Sequence, residues 1–176
     1  MLIDVLCEGG YTAAWSSAQV GAVLQQADPY HEDLQLALYC CYELHYRGFA
    51  GVSDDLEWDP GLLGLRQHLE RVFLTALRAG VPGGTDVAAE IDTLLVEPVD
   101  AWGVSHHLRH AGQLWQLREY VAQRSIYHLK EADPQAWVIP RLSGPAKVAL
   151  VTVKHDEYGS GNPDRMHAQL FADMPT

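Results

Sequence analysis

The sequence predicts an all-α protein, folded as a single helical domain over residues 1–176. Apolar residues recur at three-to-four spacing in one segment after another, which is the period of an amphipathic helix rather than the alternation of a half-buried strand. Those segments are separated by helix stops: Asp28-Pro29, residues 80–84, Asp133-Pro134 and residues 159–163. Asp-Pro and glycine clusters are where a chain leaves one helix and enters the next. A chain of 176 residues is also long enough to close one substantial core.

The elements follow in order. A first helix is expected over residues 14–27, ended by Asp28-Pro29, and a second over 30–49, with Leu34, Leu38, Cys41 and His45 on one face. Residues 48–60 connect it to a third helix at 61–79, whose face is Leu62, Leu65, Leu69, Val72, Phe73 and Leu77. A short fourth helix begins with Thr85 or Asp86 as its cap and stops before Pro98. The longest helix is expected over 105–132, with Leu114, Leu117, Val121 and Ser125 along one stripe. Residues 135–142 then cross to a helix that ends at Glu157. Val148, Val151, Thr152 and Val153 are β-branched and speak for a strand there, but the helical spacing of the inward set and the lack of a pairing strand favour helix.

Two polar residues near the end of the chain stand on apolar stripes. Ala146, Ala149, Leu150 and Val153 recur at helical spacing and Glu157 takes the next inward position, with Lys147, Thr152, Lys154 and Asp156 mostly off that stripe. After the break, Asn162 is a candidate N-cap and Pro163 suits a first turn, so that His167, Leu170, Phe171 and Met174 form a second stripe. In one unbroken helix, ten residues would part Glu157 from His167 by ~15 Å of rise and roughly 80° of rotation. Gly159 and Gly161 permit positive φ and Pro163 forces a restart, so the second helix can be re-aimed. A buried carboxylate without a partner is prohibitive, and the outcomes open to it are protonation, an ion pair or metal coordination. The alternative is a plain loop, with Glu157 reaching solvent and His167 a core histidine.

Composition narrows the function classes. A formal charge of −11 with no basic cluster argues against a nucleic-acid partner. Cys7, Cys40 and Cys41 have no metal-type spacing and suit reduced core thiols in a cytoplasmic protein. The first residues lack the charged region and apolar run of a secretory signal, and no apolar stretch is long enough to span a membrane.

Other candidates are less specific. Glu131 lies near the end of the longest helix on the same face as Tyr120, Arg124 and Tyr127, a polar and aromatic surface suited to a lined pocket. A carboxylate there opposes the helix dipole and asks for a cation, Arg124 or Lys130. His128 and Glu131 form an i, i+3 pair able to share one ion. His106, His107 and His110 read as a solvated helix start, and Glu43, two residues from His45, as a surface or capping charge.

Several short motifs in residues 118–174 occur in a specific order: Arg118-Glu119-Tyr120, Tyr127-His128-Leu129-Lys130-Glu131-Ala132-Asp133-Pro134, Pro140-Arg141-Leu142-Ser143-Gly144-Pro145-Ala146-Lys147, Asp156-Glu157-Tyr158-Gly159-Ser160-Gly161 and Met166-His167-Ala168-Gln169-Leu170-Phe171. Together they resemble the iron-containing redox enzyme family of heme-oxygenase-like di-iron oxidases. The resemblance implies a heme-oxygenase-like helical bundle holding two irons and no heme, used with O₂ to oxidise a small organic substrate. It also implies that Glu131, Glu157 and His167 are metal ligands, with Arg124 and Tyr127 lining the substrate side. A carboxylate and imidazole set suits iron that changes oxidation state. The family's remaining ligands come from a later His-x-x-x-Asp-x-x-His helix that is absent from this sequence. The expectation is therefore a truncated form, incomplete at the C-terminus of the bundle, that carries half of the ligands and could form a homodimer. The competing expectation is a non-enzymatic helical binding or scaffold domain.

Overall fold

The computed structural model describes residues 21–22, 26–96 and 102–174. The described residues are helices, 3-10 turns and connecting segments, with no strand among them, so the all-α expectation holds. The β-branched residues of 148–153 are helical. None of the described helices is long and apolar enough to cross a membrane. The chain divides into two compact units, Met1–Thr93 and Leu94–Thr176. The expected helix at 14–27 and Cys7 lie largely outside the described residues.

The first unit is built on a hairpin of α1 (Glu32–Glu43) and α2 (Pro60–Gly80). Their apolar stripes face each other: Leu34, Leu38 and Cys41 of α1 meet Leu65 and Leu69 of α2, with Val72 and Phe73 beside them. The entry of α2 has both features of a strong start, Pro60 in its first turn and Asp59 Oδ1 accepting from Leu62 N at 2.9 Å. Asp86 rather than Thr85 caps α3 (Val87–Leu94), accepting from Ala89 N at 3.0 Å.

Two expectations fail in this unit. The second helix ends at Glu43, leaving His45 in the following turn, where Nδ1 lies 3.3 Å from Glu57 Oε1 and Nε2 lies 2.7 Å from Arg66 Nη1. Glu43 is not a surface charge: it is 7% exposed. It follows Cys40 by three residues, and Cys40 is buried too, so α1 is covered on more than the Leu34-Leu38-Cys41 face. Cys40 and Cys41 are free thiols, and burial pushes Cys41 up to about 11.

The second unit contains α4 (Val104–His110), α5 (Leu114–His128), the single turn α6 (Asp133–Ala136), α7 (Gly144–Glu157) and α8 (His167–Ala172). The expected continuous helix over 105–132 is two helices. It breaks at Gly112, where a Cβ would fall 2.6 Å from the backbone of Leu108, an approach that only glycine permits. A capping box then restarts the chain: Gln113 and Gln116 exchange side-chain and backbone bonds at the head of α5.

Candidate metal centre

The covered face of α7 differs from the expected one. Lys147, Leu150, Lys154 and Glu157 form it at three-to-four spacing, while Ala146, Ala149 and Val153 are exposed. Lys154 is 4% exposed, and its Nζ donates to the carbonyl of Ala132 at 3.4 Å. A lysine stem covers as much apolar surface as a valine, and its ammonium serves a carbonyl beyond α5 that valine would leave bare. That is why the lysine turns in. Next to Glu157, Tyr158 donates to Asp133 Oδ1 at 2.9 Å and so ties the end of α7 to α6. Burial and then this bond push its hydroxyl up to about 12.

The turn after α7 creates the site. Gly159 and Gly161 have φ of +68° and +85°, and Ser160 between them has φ 54°, a conformation rare for a side-chain-bearing residue. A Cβ on Gly159 would lie 2.7 Å from Arg165 C and from Met166 N, so the returning chain presses directly on this glycine. Asn162 caps the 3-10 turn Pro163–Arg165, accepting from Asp164 N at 3.0 Å, and α8 starts from Met166. The ten-residue separation collapses: His167 Nδ1 lies 3.0 Å from Glu157 Oε2.

That pair is close but unsatisfied. The separation is that of an ion pair without the alignment of a hydrogen bond, and Glu157 Oε2 is buried with no hydrogen-bond partner. The Glu157 side chain is 17% exposed and that of His167 47%, so His167 stands at the rim rather than inside, contrary to its expected inward aim. Leu170 and Met174 of its stripe are exposed as well. The short α8 packs through Phe171, whose ring lies 4.8 Å from that of His128.

Glu131 stands in the turn that follows α5, gathered into a string of side chains. His128 Nδ1 is 3.0 Å from Glu131 Oε2, Tyr127 donates to Glu131 Oε1 at 3.1 Å, and Arg124 Nε donates to His128 Nε2 at 3.2 Å. Arg124, one of the two expected cations, thus reaches Glu131 through His128, and it also lies over the Tyr127 ring at 5.6 Å. The His128 bond holds the Glu131 carboxyl below its ordinary value against the opposing effect of desolvation, assisted by the Tyr127 bond and by the charges of His128 and His167. In turn the Glu131 bond raises the Tyr127 hydroxyl, and the charge of Glu157 adds to this. Glu131, Glu157 and His167 therefore share one electrostatic neighbourhood.

The donors fit a metal in part. An oxygen and a nitrogen 3.0 Å apart match adjacent ligands at about 2.1 Å from a common ion, and the buried Oε2 lacks any other partner. Glu131 faces its own helix neighbours instead, and among the described residues no group of three or more His, Cys, Asp or Glu could hold a metal ion. Outside this unit, His45 is engaged by Glu57 and Arg66, and within it His107 by Gln116 at 3.1 Å. Sequence reasoning undervalued His128, whose i, i+3 spacing to Glu131 was the available signal. It missed Lys154 altogether, because nothing in a helical pattern distinguishes a lysine that turns inward.

Fold and site together define an α-helical unit in which a carboxylate and an imidazole from consecutive helices stand 3.0 Å apart. Residues 118–176 match the family model described as iron-containing redox enzyme, which bears out the resemblance over about a third of the chain. The match supports an iron-linked redox role in general terms. No curated protein and no solved structure matches the chain.

Proposed function

We propose that the second unit is part of a non-heme iron-dependent oxidase or oxygenase that acts on a small organic substrate with O₂. The supporting observation is the buried Glu157 Oε2, left without a hydrogen bond 3.0 Å from His167 Nδ1. A buried carboxylate oxygen without a hydrogen bond costs stability unless a protonated imidazole or a metal cation balances its charge. In this reading Glu157, His167 and Glu131 hold iron, and bound iron would supply the electrons that activate O₂. These three are half of a di-iron set, which a His-x-x-x-Asp-x-x-His helix would complete. Glu131 would reach the metal through Oε1, giving up its hydrogen bond from Tyr127 and keeping the one to His128. Arg124 and Tyr127, stacked and exposed beside it, form the wall on the substrate side. The buried, free Cys40 and Cys41 are compatible with a reducing, cytoplasmic setting.

The second reading, a helical binding or scaffold domain without catalysis, draws on the lack of a closed three-residue ligand group among the described residues. Anaerobic addition of Fe(II) followed by O₂ separates the two. The iron reading expects a transient visible absorption that Glu157→Ala abolishes. Absence of any signal in the longest available form of the protein would favour the scaffold.

A further inference from the structure

We propose that His128 is a positioning residue that sets the orientation of the Glu131 carboxylate, an inference that rests on the iron-site reading above. Its two ring nitrogens have different jobs. The guanidinium of Arg124 has only donors, and its Nε lies 3.2 Å from His128 Nε2, so that nitrogen carries the bare lone pair. In the neutral ring the proton then sits on Nδ1, which faces Glu131 Oε2 at 3.0 Å. Arg124 donates to His128 and His128 donates to Glu131, while Tyr127 donates to the other carboxylate oxygen at 3.1 Å. The opposite tautomer would set two donors against each other at Nε2 and leave Nδ1 facing a carboxylate with nothing to donate.

The ring is also held from outside its own helix. Phe171 lies 4.8 Å away at an interplanar angle of 32°, and Phe171 follows His167 by four residues on α8. The group that orients Glu131 is therefore gripped by the helix that carries the other imidazole. A carboxylate in a turn past a helix end has three free torsions of its own, and two fixed donors remove most of that freedom. His128 does not itself read as a metal ligand. A ligating imidazole offers a lone pair to the ion, and the one lone pair of this ring is already directed at a guanidinium.

The first measurement needs no metal. Long-range ¹H–¹⁵N correlation of the histidine rings in metal-free protein at about pH 8, above the ordinary histidine range, should show His128 protonated at Nδ1 and bare at Nε2. A neutral ring protonated at Nε2 overturns the proposal. The second is titration with Co(II) as a coloured stand-in for iron. His128→Phe keeps a ring against Phe171 but loses the donor, and affinity should fall roughly 10- to 100-fold, the usual cost of losing an outer partner of a ligand. His128→Asn, whose amide N–H stands where Nδ1–H stood, should recover most of the loss. His128→Gln places its amide at the Nε2 position and should not; it carries the test if the phenylalanine variant fails to fold. Equal Co(II) affinity in the wild type and His128→Gln overturns the positioning role while leaving the metal reading intact. A wild type that takes up no Co(II) even in the longest available form of the protein, the form used for this titration, overturns the metal reading instead, and the tautomer then decides whether His128 sets Glu131.

Discussion

Glu157 is the residue at which stability and function pull apart. Its Oε2 is buried without a hydrogen bond, and an unsatisfied buried polar group costs about 1–3 kcal/mol, more when charged. Nothing in the packing of α7 calls for a carboxylate there, because Leu150 and the stem of Lys154 already cover that face. Glu157→Gln keeps the shape and removes the charge. In metal-free protein it should raise stability by about 1 kcal/mol, the lower end of that penalty, seen as a higher Tm in the presence of a chelator. The same variant should abolish the stabilisation that added metal gives the wild type. A Glu157→Gln protein less stable than metal-free wild type would show that the carboxylate is already satisfied, and the argument for a cation would lose its main support.

At the scale of elements, the turn from α7 into α8 decides whether the two site residues meet. Gly159 meets two demands at once, a φ of +68° and a returning backbone within 2.7 Å of where a Cβ would stand. Alanine can meet neither, and strain of this kind costs about 1–3 kcal/mol before any clash is counted. Gly159→Ala should lower the urea midpoint of the second unit and push His167 away from Glu157, with loss of metal uptake. Gly161→Ala, where nothing lies within 4 Å of the Cβ, meets only the φ penalty and should do less harm. Equal effects of the two would mean that the close approach does not matter. The need for glycine in this turn was legible in the sequence, as was the α1–α2 hairpin, because Leu62, Leu65 and Leu69 form an unbroken apolar stripe on a capped helix. The face of α7 was not. Ala146, Ala149, Leu150 and Val153 look like a core stripe by their spacing, but Lys154 turns inward to a carbonyl 22 residues away, and no local pattern encodes that contact. The split of the long helix at Gly112 was missed for a related reason: the glycine is needed for an approach to Leu108 that periodicity does not reveal.

For the whole molecule, the two units differ in what holds them together. The first buries Leu34, Leu38, Cys41, Leu65 and Leu69 where α1 meets α2, and Cys40 and Leu62 are buried as well, the apolar burial that dominates folding stability. In the second, the only buried residues among those described are Lys154 and Gly159, and its helices leave Leu114, Trp115, Ile126, Val148 and Leu170 exposed. Its long-range ties are single polar bonds, such as Tyr158 to Asp133, together with the Phe171 to His128 ring contact. Regions with few buried apolar contacts open at lower free energy than the core. Amide hydrogen exchange should therefore find its slowest sites in α1 and α2, around Leu38, Cys41, Leu65 and Leu69, with α5, α7 and α8 exchanging by easier openings. A metal that bridges Glu131, Glu157 and His167 would link α7 and α8 to the turn after α5 and stabilise only the state in which all three meet. Adding Co(II) should slow exchange in those elements and leave α1 and α2 unchanged. Uniform protection across both units without metal would indicate one cooperative fold, and slowing confined to α1 and α2 would place the metal outside the second unit.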